Sequence, residues 1–209
     1  MIIINFKAYK EATNWKARSL SRKCQKASEE SEARIISAPQ TQDLRICEGE
    51  IFAQHVDGVE NGSHTGSVLA EGLKDSGASG TILNHSEDRM KEEEIEKSIE
   101  RCKDLGLTTV VCAQTPEECG ELSKLEPDYV AFEPPELIGG DTSVSEAKPD
   151  LIEDAVNQSE VELLTGAGIK SKKDVEKSIE LGCEGILVAS GVVKAEEPYE
   201  KIMELCEGL

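Results

Sequence analysis

A repeating rhythm constrains this chain more than any other feature. Eight short apolar runs stand at residues 2–6, 34–38, 51–54, 80–83, 108–112, 129–132, 162–165 and 185–188. Longer charged, amphipathic stretches separate and follow them, at 15–28, 68–76, 92–105, 116–124, 149–157, 172–181 and 198–206, with a shorter helical stretch near 41–47. In residues 92–103 the apolar positions Ile95, Ile99 and Cys102 share one helical face while the rest are mostly charged, the pattern of an outer-layer helix. Leu105-Gly106 and Leu181-Gly182 end helices, and Thr115-Pro116 and Ser171-x-x-Asp174 begin them. Eight strand–helix units in succession imply an all-parallel sheet with right-handed crossovers. Eight is also the number that closes such a sheet into a barrel. The expected fold is therefore an eight-stranded parallel (β/α)8 barrel, formed as one domain over residues 1–209. Such barrels run to about 250 residues with a lower range near 200, so this one is trimmed. The first strand–helix turn carries no Gly-x-Gly-x-x-Gly, which argues against a dinucleotide-binding sheet.

Composition narrows the partners. The chain holds 42 acidic and 23 basic residues, a formal charge of −19. No long-range positive field is there to draw in nucleic acid or an anionic membrane. The seven cysteines form no Cys-x-x-Cys pair and share no zinc spacing with His55, His64 or His85. Free thiols in a reducing cytosol are expected, with Cys112 a small hydrophobe inside an apolar run. The opening residues lack the length of a signal sequence or a membrane span, so the expected location is cytoplasmic.

In a parallel barrel, side chains at the carboxyl ends of the strands converge on one mouth. The polar residues at those ends are Asn5 and Lys7 after the first strand, His85 after the fourth and Glu133 after the sixth. Glycine-bearing turns, Gly166-Ala167-Gly168 and Ala189-Ser190-Gly191, follow the last two. One opening would thus gather a base, a neutral donor, a cation and two amide-rich anion pockets. A polar, acidic helix start is expected immediately after His85, and the positive end of a helix dipole opposes protonation of an imidazole.

These residues, in order, resemble triosephosphate isomerases of the short archaeal type. The resemblance spans essentially the whole chain. It rests on Asn5-Phe6-Lys7, Ala53-Gln54-His55-Val56-Asp57, Gly62-Ser63-His64-Thr65-Gly66, Leu83-Asn84-His85-Ser86-Glu87, Phe132-Glu133-Pro134-Pro135-Glu136-Leu137-Ile138-Gly139, Gly166-Ala167-Gly168-Ile169 and Ala189-Ser190-Gly191-Val192. It implies a TIM barrel that interconverts dihydroxyacetone phosphate and glyceraldehyde 3-phosphate in glycolysis and gluconeogenesis, with no metal or organic cofactor. It makes Glu133 the general base and His85 the electrophile, a pairing that belongs to the family and enters with the resemblance. Lys7 and Asn5 would hold the substrate and stabilise its oxyanion, while Ile138, Gly168, Ala189 and Ser190 match substrate and phosphate contacts. Glu87 would order Lys7 or shuttle a proton; helix capping is the alternative. The loop around Thr65 would dock into another subunit, giving a homodimer or homotetramer.

Composition after Glu133 suits a lid: Pro134 and Pro135 stiffen its entry, Leu137 and Ile138 can cover a ligand, and Gly139-Gly140 allow the backbone to change course. That double glycine followed by Asp141 departs from the usual hinge, and the second strand–helix unit looks shortened around residues 41–50. Two rival functions stay open at this point. A phosphate-anchoring epimerase would want paired aspartates and metal-ligating histidines, of which His55 and Asp57 are a faint hint. A catalytically silent sugar-phosphate binder would have no use for a base.

Overall fold

The computed structural model describes residues 1–135 and 148–209. Eight strands run parallel in sequence order and close on themselves: β1 (Ile2–Asn5), β2 (Ile35–Ala38), β3 (Glu50–Ala53), β4 (Gly80–Leu83), β5 (Thr108–Ala113), β6 (Tyr129–Phe132), β7 (Glu162–Thr165) and β8 (Gly185–Val188). The closing pair aligns Ile2 with Ile186 and Ile4 with Val188. A closed sheet leaves no edge to protect, so every strand can be buried on both faces.

Eight helices are described around it: α1 (Trp15–Ser31), α2 (Ala70–Asp75), α3 (Glu92–Leu105), α4 (Pro116–Ser123), α5 (Pro149–Gln158), α6 (Lys172–Glu180), α7 (Ser190–Val193) and α8 (Pro198–Cys206). Between β2 and β3 the expected short α-helix is a 3-10 turn at Thr41–Ile46. The connection between those strands is too short for a packed helix, and the turn instead braces α1, since the Asp43 carboxylate accepts from the Asn14 amide at 2.9 Å.

The period-2 alternation of each strand divides the apolar residues into two layers. Ile3, Ile36, Phe52, Ile82, Val110, Ala131, Leu164 and Leu187, one from every strand, fill the barrel interior. Their neighbours point outward to the helices: Ile2, Ile4 and Ile186 toward α1 and α8, and Val111, Val130 and Phe132 toward the α2–α5 side. Burying a side chain of this size contributes about 1.5–3 kcal/mol. Gly80 makes room for the largest interior side chain, because a Cβ there would lie 2.6 Å from the Phe52 ring. The same alternation, carried two residues past Ile3 and Ala131, points Asn5 and Glu133 into the mouth.

Candidate active site

Asn5, Lys7, His85, Glu133, Gly168, Ala189 and Ser190, expected from the sequence to share an opening, line one cavity of about 190 Å³. Ile138 and the positions expected from the sequence to form a lid, Leu137, Gly139 and Gly140, lie outside the described residues.

Each group is held in a particular way. Lys7 follows β1 with φ +45°, a left-handed conformation that costs a non-glycine residue about 1–3 kcal/mol and recurs at functional sites. Three contacts sustain it. Its amide donates to Asn5 Oδ1 at 2.9 Å, its carbonyl accepts from Gln54 Nε2 at 3.1 Å, and its ammonium pairs with Glu87 Oε1 at 2.8 Å. Gln54 also donates to the Ala38 carbonyl at 2.8 Å, so it ties the ends of β1 and β2 together.

His85 is buried, and its Nδ1 accepts from the Glu87 amide at 3.1 Å. A neutral imidazole whose Nδ1 accepts must carry its proton on Nε2. That nitrogen is 3.6 Å from Glu133 Oε2, longer than a hydrogen bond, so the two face each other across a gap. Burial, and next the Lys7 charge, push the imidazole pKa down from 6.5 to about 4. The helix-dipole reason expected from the sequence is replaced by this one: α3 does not begin until Glu92, and the amide facing His85 belongs to a turn.

Glu133 is 3% exposed. Burial raises its carboxyl from 4.5 to about 7, against smaller lowering contributions from the neighbouring Cys112 thiol and Lys7. Its Oε2 has no hydrogen-bond partner among the described residues. Gly166 explains how a carboxylate fits here: a Cβ at that position would lie 2.4 Å from Glu133 Cγ and 2.8 Å from Oε1. The first glycine of the Gly-Ala-Gly turn is thus a space requirement of Glu133, and the second, Gly168 with φ +72°, is a conformational one.

The short helix α7 begins at Ser190, so Ala189, Ser190 and Gly191 bring a helix start to the cavity wall. Sequence reasoning missed Tyr9, which also lines the cavity and carries the Lys194 ammonium 4.1 Å above its ring. Its place two residues after Lys7 was the available signal. Lys170 lines the cavity as well. His55 lies outside it, 3.3 Å from Asp57 and 3.7 Å from Asp88 in a neighbouring cleft. The mouth therefore combines a carboxyl base, a neutral N–H donor, an ammonium and a helix start, a set suited to moving a proton beside a carbonyl on an anionic molecule.

The family model described as triosephosphate isomerase matches residues 1–207. The chain belongs to the triosephosphate isomerase family. It is 44% identical over 214 residues to the triosephosphate isomerase of Methanothermus fervidus, covering 98% of this chain and 96% of that one. The triosephosphate isomerase of Methanocaldococcus jannaschii is also 44% identical, with 98% of each chain covered. A crystal structure of the triosephosphate isomerase from Bartonella henselae superposes with a TM-score of 0.75 at 17% identity, over 99% of this chain and 97% of that one, which shows the shared barrel fold. Membership makes the chain an isomerase of glycolysis, and its relatives carry the archaeal character expected from Thr165-Gly166-Ala167-Gly168. Among the described residues no helix is long and apolar enough to cross a membrane.

Proposed function

We propose that the catalytic unit, residues 1–209, interconverts dihydroxyacetone phosphate and glyceraldehyde 3-phosphate, with Glu133 as base and His85 as electrophile. The observation that carries this reading is the facing pair itself: a carboxylate held at about 7 opposite a neutral imidazole whose Nε2 carries the proton. Glu133 removes the proton from carbon beside the carbonyl and returns it to the adjacent carbon, while the hydroxyl proton passes to the former carbonyl oxygen at the enediolate stage. A base tuned near the working pH suits this task, and positioned general-base catalysis contributes about 10²–10⁴-fold. Negative charge gathers on the carbonyl oxygen as the enediolate forms. The Nε2–H of His85 and the ammonium of Lys7 meet it, with Asn5 beside them; losing one such donor commonly costs about 3–4 kcal/mol. The phosphate goes to the wall formed by Gly168, Ala189 and Ser190, where backbone amides attract an anion even in an acidic protein. Ile138 remains a proposed contact from the lid.

The protein works as a homo-oligomer in the cytoplasm on this reading, and its free cysteines suit that compartment. Residues 60–66, with Thr65 among them, form a continuous exposed run. A cleft of about 280 Å³ beside the mouth, lined by Lys7, Gln54 and Glu87, is the surface such a loop from a second copy would enter.

A coupled assay of wild type and Glu133→Asp tests the catalytic assignment. The shorter carboxylate is misplaced mainly for the transition state, so turnover falls about 10²-fold or more while KM changes little. Equal rates in the two proteins would remove Glu133 from this role.

A further inference from the structure

Asn84 stands between the last residue of β4 and His85, and strand geometry does not explain where His85 points. Ile82 faces the barrel interior and Leu83 the helical layer. Continued alternation would turn Asn84 inward and His85 outward, away from the cavity that His85 in fact lines. The chain breaks the alternation at Asn84, which adopts φ +58°. Glycine reaches that conformation without cost and asparagine tolerates it.

What asparagine adds is its side chain. Asn84 is 2% exposed, its Nδ2 donates to the Cys112 carbonyl of β5 at 2.9 Å, and its Oδ1 accepts from the Met90 amide at 3.0 Å. Its own carbonyl accepts from Arg89 Nη1 at 3.4 Å, and Arg89 is in turn paired with Glu118 of α4. The primary amide therefore joins the end of β5 to the segment leading into α3, with the left-handed turn between them. A residue that served only to supply a permissive backbone would not need two buried side-chain bonds of this geometry.

We propose that Asn84 is a positioning residue whose side-chain amide locks the left-handed turn that aims His85 Nε2 at the substrate carbonyl. This rests on the isomerase reading above. Asn84 touches no reacting atom; it acts through the imidazole.

The test compares wild type with Asn84→Gly, which keeps the backbone freedom and removes both side-chain bonds, and with Asn84→Asp, which keeps the Met90 acceptor and removes the donor to Cys112. Three readouts are taken: steady-state kinetics on triose phosphate, thermal melting, and the nitrogen-15 signals of the His85 ring. Asn84→Gly should lose about 10²-fold in kcat with KM within about twofold, because a loosened donor fails chiefly at the transition state. The His85 nitrogens should lose the signature of one fixed tautomer while the protein stays folded at the assay temperature. Asn84→Asp should fall between the two, and it decides the matter should the glycine variant not fold. Wild-type kcat in a folded variant overturns the proposal, and so does a lower kcat with unchanged ring signals. A wild-type protein without isomerase activity would instead remove the underlying reading, and the ring signals of the variants would still decide whether Asn84 holds His85.

Discussion

Glu133 shows how one side chain's surroundings set both a rate and a stability. Burial holds its proton more tightly in the folded chain, at about 7 against 4.5. The base must be ionised to act, so kcat/KM should fall as pH drops through about 7, measured across pH 5–9 with the titration of the substrate phosphate subtracted. His85, pushed down to about 4, contributes nothing to that limb. The stability effect has the opposite sign. The folded state prefers the protonated carboxyl, so the contribution of Glu133 to stability is greatest below about 4.5, declines as pH rises to about 7 and is lower by about 3 kcal/mol beyond it. Glu133→Gln removes the titration. That variant should match wild type in urea at pH 4 and exceed it at pH 8, and a gap independent of pH would show that burial does not set this carboxyl. The residue types at the mouth were legible in the sequence. The pairing of Glu87 with Lys7 was implied by the family resemblance and is present at 2.8 Å. What could not be read there was that Gly166 exists to clear space for Glu133, or that Gln54 sustains the strained backbone of Lys7, because those partners are distant in the chain.

Element boundaries followed local chemistry closely where that chemistry was strong. Strands β4, β6, β7 and β8 and helices α3 and α8 occupy the residues expected from the apolar runs and their punctuation. Helix α1 runs on to Ser31, since Glu32 supplies a left-handed cap that no glycine announced. The Ser171-x-x-Asp174 signature is a true capping box at the start of α6. Ser171 Oγ accepts from the Asp174 amide, and Asp174 Oδ2 accepts from the Ser171 amide at 2.9 Å. Asp174 also takes the Lys170 amide at 3.0 Å, so the cap reaches back toward the cavity wall. Ser171→Ala should cost about 1 kcal/mol in urea denaturation while kcat stays at the wild-type value. A loss of turnover out of proportion to stability would mean that the cap also sets the geometry of the 168–170 turn.

For the whole molecule, assembly carries the sharpest test. Thr65 sits in the exposed run 60–66, and the cleft beside Lys7 is the surface proposed to receive it from a second copy. Thr65→Arg should shift light scattering to the monomer mass and lower kcat about tenfold or more, because Lys7 and Glu87 line the receiving cleft. Retention of the oligomer with full activity would move the interface elsewhere. The chain by itself determined its class, its eight-unit order and the side chains gathered at the strand ends, because period-2 and period-3.6 burial are local properties written in every segment. Only the tertiary structure decided how those side chains face one another. The left-handed turns at Lys7 and Asn84, the 3.6 Å gap between His85 and Glu133, and the dry environment that moves both pKa values arise from contacts between distant strands, which no local pattern records.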